Sequence, residues 1–160
     1  MAAVLGGSRC TTEIPEQSML VNNGGDGVKD IVAVFPQKTH LWIWDRRLAG
    51  TELMPYWPWA FQVDRSVGTF AYQVTLSIMG SPEEGLKYRE KSKAGWRRPQ
   101  LEDWAAKMLN QFEVDNQTAF SQVTELDETA LKQLLISWFE RSKFANQGIH
   151  IAGIAAARRR

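Results

Sequence analysis

Cysteine and histidine, two residue types that hold metals and carry out catalysis, are scarce in this chain of 160 residues. The chain has one cysteine, Cys10, and two histidines, His40 and His150. A single cysteine cannot form an internal disulfide, which favours a reducing, intracellular setting with the cytoplasm as the expected compartment. Because no Cys/His spacing typical of zinc sites occurs, we expect no metal and no cofactor.

Long hydrophobic runs are also missing. No apolar stretch approaches the ~20 residues that a membrane-spanning helix needs, and MAAVLGGSRC lacks the basic start and apolar middle of a secretory signal. Hydrophobic residues make up 44% of the chain and charged residues 23%, as in ordinary globular proteins. The composition therefore predicts one domain with a buried core and no transmembrane segment.

Recognisable catalytic motifs are absent as well: the sequence has no metalloprotease motif, no phosphate-binding glycine-rich loop and no nucleophile elbow. The sequence therefore favours a protein that is not an enzyme. A catalytic site that forms only in three dimensions is the third hypothesis, with Asp45, Asp64 and His40 as candidates because they lie near predicted strand ends.

The hydrophobic pattern that is present changes from strands to helices along the chain. Residues 69–78 alternate apolar and polar side chains, the period of a strand with one buried face. Further strands are predicted at 31–35, 41–44, 57–63 and 149–154, with the first two joined as a hairpin. After Pro99 two stretches repeat apolar residues at helical spacing, and Asp127 is a good N-cap for the second.

These patterns predict an α+β fold, an antiparallel sheet of about four or five strands with two main C-terminal helices packed on one face. Residues 1–27 are glycine-rich and polar, and we expect a flexible N-terminal arm there, with a docked stretch around 19–21. Residues 28–155 form the single α+β domain, and residues 156–160 form a basic C-terminal tail.

Residues 86–98, LKYREKSKAGWRR, form the strongest local departure from the average composition, and we name them the basic segment. Six cations stand there against one acid, Glu90, and the first four occupy every second position. An extended backbone would point those four to one side, and the neighbouring glycines and prolines predict a loop. The candidate polyanion-binding residues are Lys87, Tyr88, Arg89, Lys91, Lys93, Trp96, Arg97 and Arg98.

Cations that neutralise phosphates, beside rings that stack on unpaired bases at ~1–3 kcal/mol each, are typical of single-stranded nucleic-acid binding. The leading hypothesis is therefore a non-catalytic binding and assembly protein that contacts a polyanion, preferably single-stranded nucleic acid such as RNA. An anionic membrane surface is a second interpretation of the same charges, and a solvated loop without a specific role is the third.

Aromatic residues supply the alternative function. In residues 54–61, MPYWPWAF, two prolines exclude an ordinary central strand, and the rings either cover the core or form an exposed ridge. An exposed ridge would make Tyr56, Trp57 and Trp59 anchors for a protein partner, in a protein–protein interaction module or a structural subunit of a larger assembly, including a homo-oligomer. The tryptophans Trp42, Trp44, Trp104 and Trp138 fit strand or helix patterns and are assigned to the core.

Overall fold

The computed structural model describes residues 10–24, 29–92, 97–121 and 127–158, although the side chains at 91, 92, 157 and 158 are not described. Within these ranges the chain forms eight strands, four α-helices and a 3₁₀ turn at Arg46–Leu48. The strands are β1 (Thr11–Ile14), β2 (Ser18–Asn23), β3 (Lys29–Phe35), β4 (Thr39–Trp42), β5 (Thr51–Pro55), β6 (Trp59–Val67), β7 (Phe70–Ile78) and β8 (Ile149–Arg158). The helices are α1 (Pro82–Ser92), α2 (Arg98–Asp115), α3 (Gln117–Ser121) and α4 (Glu128–Arg141). The α+β class is confirmed.

The strands form three small antiparallel sheets, so the prediction of one sheet with four or five strands is wrong. Strands β1 and β4 make a two-stranded sheet, β3-β2-β5 make the N-terminal sheet, and β6-β7-β8 make the C-terminal sheet. The predicted hairpin between residues 31–35 and 41–44 is also wrong, because β3 pairs with β2 whereas β4 pairs with β1.

The largest hydrophobic core joins the C-terminal sheet to the helices. Five alternate residues of β7, from Phe70 to Ile78, are buried, which confirms the period-two prediction. Asp127 caps α4 as predicted, because its carboxylate accepts a hydrogen bond from the backbone N–H of Ala130 at 2.7 Å. The residues that α2 and α4 add to this core are Leu101, Trp104, Ala105, Met108, Leu109, Phe112, Leu131, Leu135 and Phe139.

A polar network at the edge of this core ties two strands to α2. Glu113 binds the guanidinium of Arg65 through both carboxylate oxygens, at 3.0 and 2.7 Å, and accepts a hydrogen bond from the Tyr72 hydroxyl at 2.5 Å. Burial, together with that bond to Glu113, raises the pKa of Tyr72. The network fixes the orientation of α2 over β6 and β7.

The N-terminal sheet differs from the predicted flexible arm. Strand β2 lies between β3 and β5, and its apolar residues face both ways. Met19 packs in a cluster that includes Leu86 of α1, whereas Leu20 packs in a second cluster with Leu41 of the two-stranded sheet. The predicted docked stretch is therefore a central strand with both faces covered. Residues 1–9 and 25–28 of the predicted arm lie outside the described residues, and the predicted tail begins within β8.

Helix α1 replaces the loop that was predicted around residues 80–99. Pro82 begins it, and Glu83 and Glu84 occupy its first turn, where carboxylates complement the helix dipole. The helix needs a glycine at position 85, because a Cβ there would lie only 2.9 Å from the Tyr56 side chain and the close packing has no room for a larger residue. Since α1 gives Leu86 to the cluster of the N-terminal sheet and Tyr88 to the C-terminal core, the helices do not lie on one face of one sheet.

Candidate functional site

The basic segment begins on α1, and this helical backbone changes the direction of its cations. Residues two apart on a helix lie about 200° apart around the axis, so Lys87 and Arg89 point to different sides. Lys87 is exposed, and Arg89 is half-buried. The backbone of Lys91 belongs to α1, while Lys93 and Trp96 lie outside the described residues. The expectation of one row of outward cations on an extended strand is therefore wrong.

Tyr88 does not offer a ring for base stacking. It is only 3% exposed, and it packs in the C-terminal core. The position of Gly148 shows how close this packing is, because a Cβ on that glycine would lie 2.5 Å from the backbone nitrogen of Tyr88. We therefore remove Tyr88 from the candidate binding residues.

Arg89 carries an unsatisfied hydrogen-bond donor. Its Nε atom is buried and has no hydrogen-bond partner within the part of the chain that the structure describes. A buried donor without an acceptor is unfavourable by about 1–3 kcal/mol, and more when the group is charged. Neither Arg89 nor Lys87 forms an ion pair with another described residue. Lys87 and Arg89 are therefore not neutralised by the described acids.

Arg97 and Arg98 lie at the start of α2, and both are exposed. The backbone N–H of Arg97 donates to Gln100 Oε1 at 2.7 Å, but its side chain has no ion pair among the described residues. Arg98 is partly neutralised by Glu102 at 3.3 Å, and its guanidinium lies over the ring of Phe61. The N-terminus of an α-helix carries about half a positive charge, which adds to this group.

The end of α1 and the start of α2 are close because few residues separate them. From residue 92 to residue 97 the chain can span at most about 18 Å. This bound keeps the start of α2 within about 18 Å of the end of α1, but the cations of the two helices do not form a single row. We name Lys87, Arg89, Arg97 and Arg98 the cationic surface.

A cavity of about 530 Å³ lies beside Lys87, between α1, α4 and the start of β8. Its rim includes Glu84 and His150, which are joined by a 2.9 Å contact between Glu84 Oε2 and His150 Nδ1, and also Glu140. Because 66 residues separate Glu84 from His150, no local sequence pattern could have predicted the pair. The pair connects α1 to β8 at the edge of the cationic surface.

The three residues of the enzyme hypothesis have separate partners. Hydrogen bonds from Arg47 to Asp45, one of them 2.8 Å long, lower the pKa of Asp45 to about 2. Asp64 accepts a hydrogen bond from Gln73 at 2.9 Å, and His40 lies 3.8 Å from a carboxylate oxygen of Glu13. None of the described hydrogen bonds or ion pairs joins these three residues, and the described residues contain no group of His, Cys, Asp and Glu that could hold a metal ion.

The predicted aromatic ridge is divided by the structure. Tyr56 is buried and Trp59 packs against the C-terminal core, whereas Trp57 is 56% exposed. Two tryptophans that were assigned to the core, Trp42 and Trp44, are the most exposed rings among the described residues, at 59% and 71%. Their assignment to the core is wrong, because Trp42 ends β4 on the side opposite the buried Leu41.

Among the described residues, no helix is long and apolar enough to cross a membrane. Comparison of the chain with protein-family models, with curated proteins and with solved structures finds no match.

Proposed function

We propose that the protein is a non-catalytic binding and assembly protein whose cationic surface contacts a polyanion, with single-stranded nucleic acid as the preferred partner. One observation carries the proposal: Lys87, Arg89 and Arg97 have no acidic partner among the described residues. Among the other arginines whose side chains are described, Arg47 and Arg65 each lie within 2.8 Å of a carboxylate oxygen, whereas Arg46 and Arg141 also have no described ion pair. The cations of this surface that have no described acidic partner are available to an external anion.

Counterion release provides the main driving force for such binding. Each phosphate that a cation neutralises on a single strand contributes about 0.7 to the slope of log affinity against log salt. If all six cations of residues 87–98 met phosphates, the slope would be about −4.

Fewer residues support the preference for single strands than support the binding of anions in general. With Tyr88 in the core, Trp96 is the only remaining ring of the basic segment that could stack on an unpaired base. Trp96 lies outside the described residues, so this part of the proposal rests on the sequence. A comparison of single and double strands tests it separately.

The experiment measures binding of a fluorescent 20-nucleotide single strand, and of a duplex of the same length, by anisotropy between 50 and 300 mM NaCl. The test variant replaces Lys87, Lys91, Lys93 and Arg97 by Ala, which spares the half-buried Arg89. The control variant replaces four exposed cations on the other helices and after α4: Lys107, Lys132, Arg141 and Lys143. Circular dichroism establishes that both variants fold.

We expect the test variant to lose affinity and to flatten the salt slope by about 3, whereas the control variant changes both far less. Equal effects of the two variants would show that only net charge matters, and would overturn the assignment of the surface. An affinity that is independent of salt and of the test variant would contradict polyanion binding. Loss of a protein partner on Trp57→Ala would then favour the alternative, an assembly subunit anchored by its exposed tryptophan.

A further inference from the structure

Three consecutive apolar residues, Trp42, Ile43 and Trp44, are exposed to solvent at 59%, 46% and 71%, and we name them the tryptophan tip. Strand β4 ends at Trp42, and the chain then turns, with the Asp45 N–H donating to the Trp42 carbonyl oxygen at 2.9 Å. The three exposed side chains therefore lie together at this turn on the surface. Large exposed apolar groups that lie together mark an interaction site.

The tryptophan tip is held in place by its own backbone. Ile43 N–H donates to the carbonyl oxygen of Cys10 at 2.9 Å, which continues the pairing of β1 with β4. The Asp45 carboxylate then caps the 3₁₀ turn by accepting from the Arg47 N–H at 2.9 Å. The rings of Trp42 and Trp44 stack on each other, with centroids 6.3 Å apart and planes 19° from parallel. A partner therefore meets a preformed apolar surface.

The acidic side chains described near the tryptophan tip are paired with basic ones. Glu13, on the strand paired with β4, contacts Lys38 at 2.8 Å, and Asp45 binds Arg47. His40 faces the same Glu13 at 3.8 Å. Arg46 is exposed and forms no ion pair with any residue that the structure describes. The acids near the tip are thus neutralised, and one cation is left over.

We propose that the tryptophan tip inserts into the interface of an anionic lipid bilayer, with Arg46 contacting headgroup phosphates. Tryptophan favours the boundary between headgroups and acyl chains, and an aliphatic residue between two such rings adds apolar area that enters the bilayer. A base-stacking platform fits less well, because the two rings already cover one face of each other and Ile43 has no role in stacking. This inference concerns another surface and another partner class than the proposed polyanion binding, and it does not depend on it.

The test is flotation of the full chain with vesicles of pure phosphatidylcholine, or of phosphatidylcholine with phosphatidylserine at four to one. We expect binding to the serine-containing vesicles and a loss of about tenfold or more in Trp42→Ala/Trp44→Ala. The matched control is Trp57→Ala, which removes a ring of similar exposure elsewhere and should leave vesicle binding unchanged. Arg46→Ala should weaken binding a few-fold and reduce its dependence on salt.

Quenching by lipids brominated high on the acyl chain locates the rings. We expect quenching of tryptophan fluorescence in the unsubstituted protein and a clear reduction of it in Trp42→Phe/Trp44→Phe, whose folding should be unaffected because both rings are exposed. Unchanged vesicle binding in the double alanine variant would overturn the inference. The inference would also be overturned if the vesicles were released only by the variant with Lys87, Lys91, Lys93 and Arg97 replaced. It would be overturned as well if the protein bound no vesicles and the double alanine variant instead lost binding of an oligonucleotide or of a protein.

Discussion

Among the glycines for which the structure describes the surroundings, Gly148 is the one at which an added methyl group should disturb the packing most. Its φ is +80°, a conformation that L side chains rarely adopt, and it lies just before β8 against α1. A Cβ there would lie 2.5 Å from both the backbone nitrogen and the Cβ of Tyr88, and still closer to the carbonyl oxygen of Glu84. Two of these three atoms belong to the α1 backbone, so relief requires that the helix itself moves.

The magnitude of the effect has two contributions. A left-handed conformation costs an alanine about 1–2 kcal/mol relative to glycine, and overlap in a packed region adds about 1–3 kcal/mol. Gly148→Ala should therefore lower the free energy of unfolding by about 3 kcal/mol or more. For a domain of this size that corresponds to a decrease in Tm of roughly 6–12 °C.

Gly68→Ala is the matched control. Gly68 has a φ of +61°, but no heavy atom lies within 4 Å of its added Cβ, so only the backbone contribution of about 1–2 kcal/mol applies. Urea unfolding followed by circular dichroism measures both variants, and a common m-value establishes that the transitions are comparable. If the two alanine variants lost the same stability, close packing against Gly148 could not be what positions α1.

Two further predictions concern ionised groups. Glu113→Ala should lower the free energy of unfolding by about 3 kcal/mol, because the Tyr72 hydroxyl loses its acceptor and the Arg65 guanidinium loses its carboxylate and keeps only Asn110 Oδ1. Tyr72→Phe should cost about 1 kcal/mol; urea unfolding checks both variants, and equal losses would contradict this account. The Asp45 carboxyl should titrate near pH 2 by NMR, and its pKa should return towards 3.8 in Arg47→Ala. Since the pKa in the folded state is the lower one, the stabilisation by the Asp45–Arg47 pair is complete above pH 3.8 and is lost as the pH falls through 2. An Asp45 pKa that was the same in Arg47→Ala would refute the assigned cause.

Features that depend on neighbouring residues could be predicted from the sequence. The alternation of β7 and the N-cap of α4 are set by side chains within a few positions of each other, and both are confirmed. The α+β class follows from the same local periods. Helix α1 was missed because Gly85 and the flanking prolines suggest a loop, and only the contact of Gly85 with Tyr56 explains why the helix needs a glycine there.

Features that depend on distant contacts could not be predicted. The burial of Tyr88 follows from the approach of Gly148, and the exposure of Trp42 and Trp44 follows from the pairing of β4 with β1 at the surface. In both cases the ring was expected to be exposed and is buried, or was expected to be buried and is exposed. The candidate site therefore keeps Lys87, Arg89, Arg97 and Arg98 from the sequence prediction but loses Tyr88 as a stacking ring.

The position of β8 in the C-terminal sheet has a consequence for biosynthesis. Strand β7 is central, yet β8, which covers one of its edges, follows all four described helices in chain order. While the ribosome is still translating the helices, the nascent β6-β7 hairpin has an unpaired edge and an uncovered apolar face. Both features promote aggregation, so we expect the nascent chain to need protection until β8 has been translated.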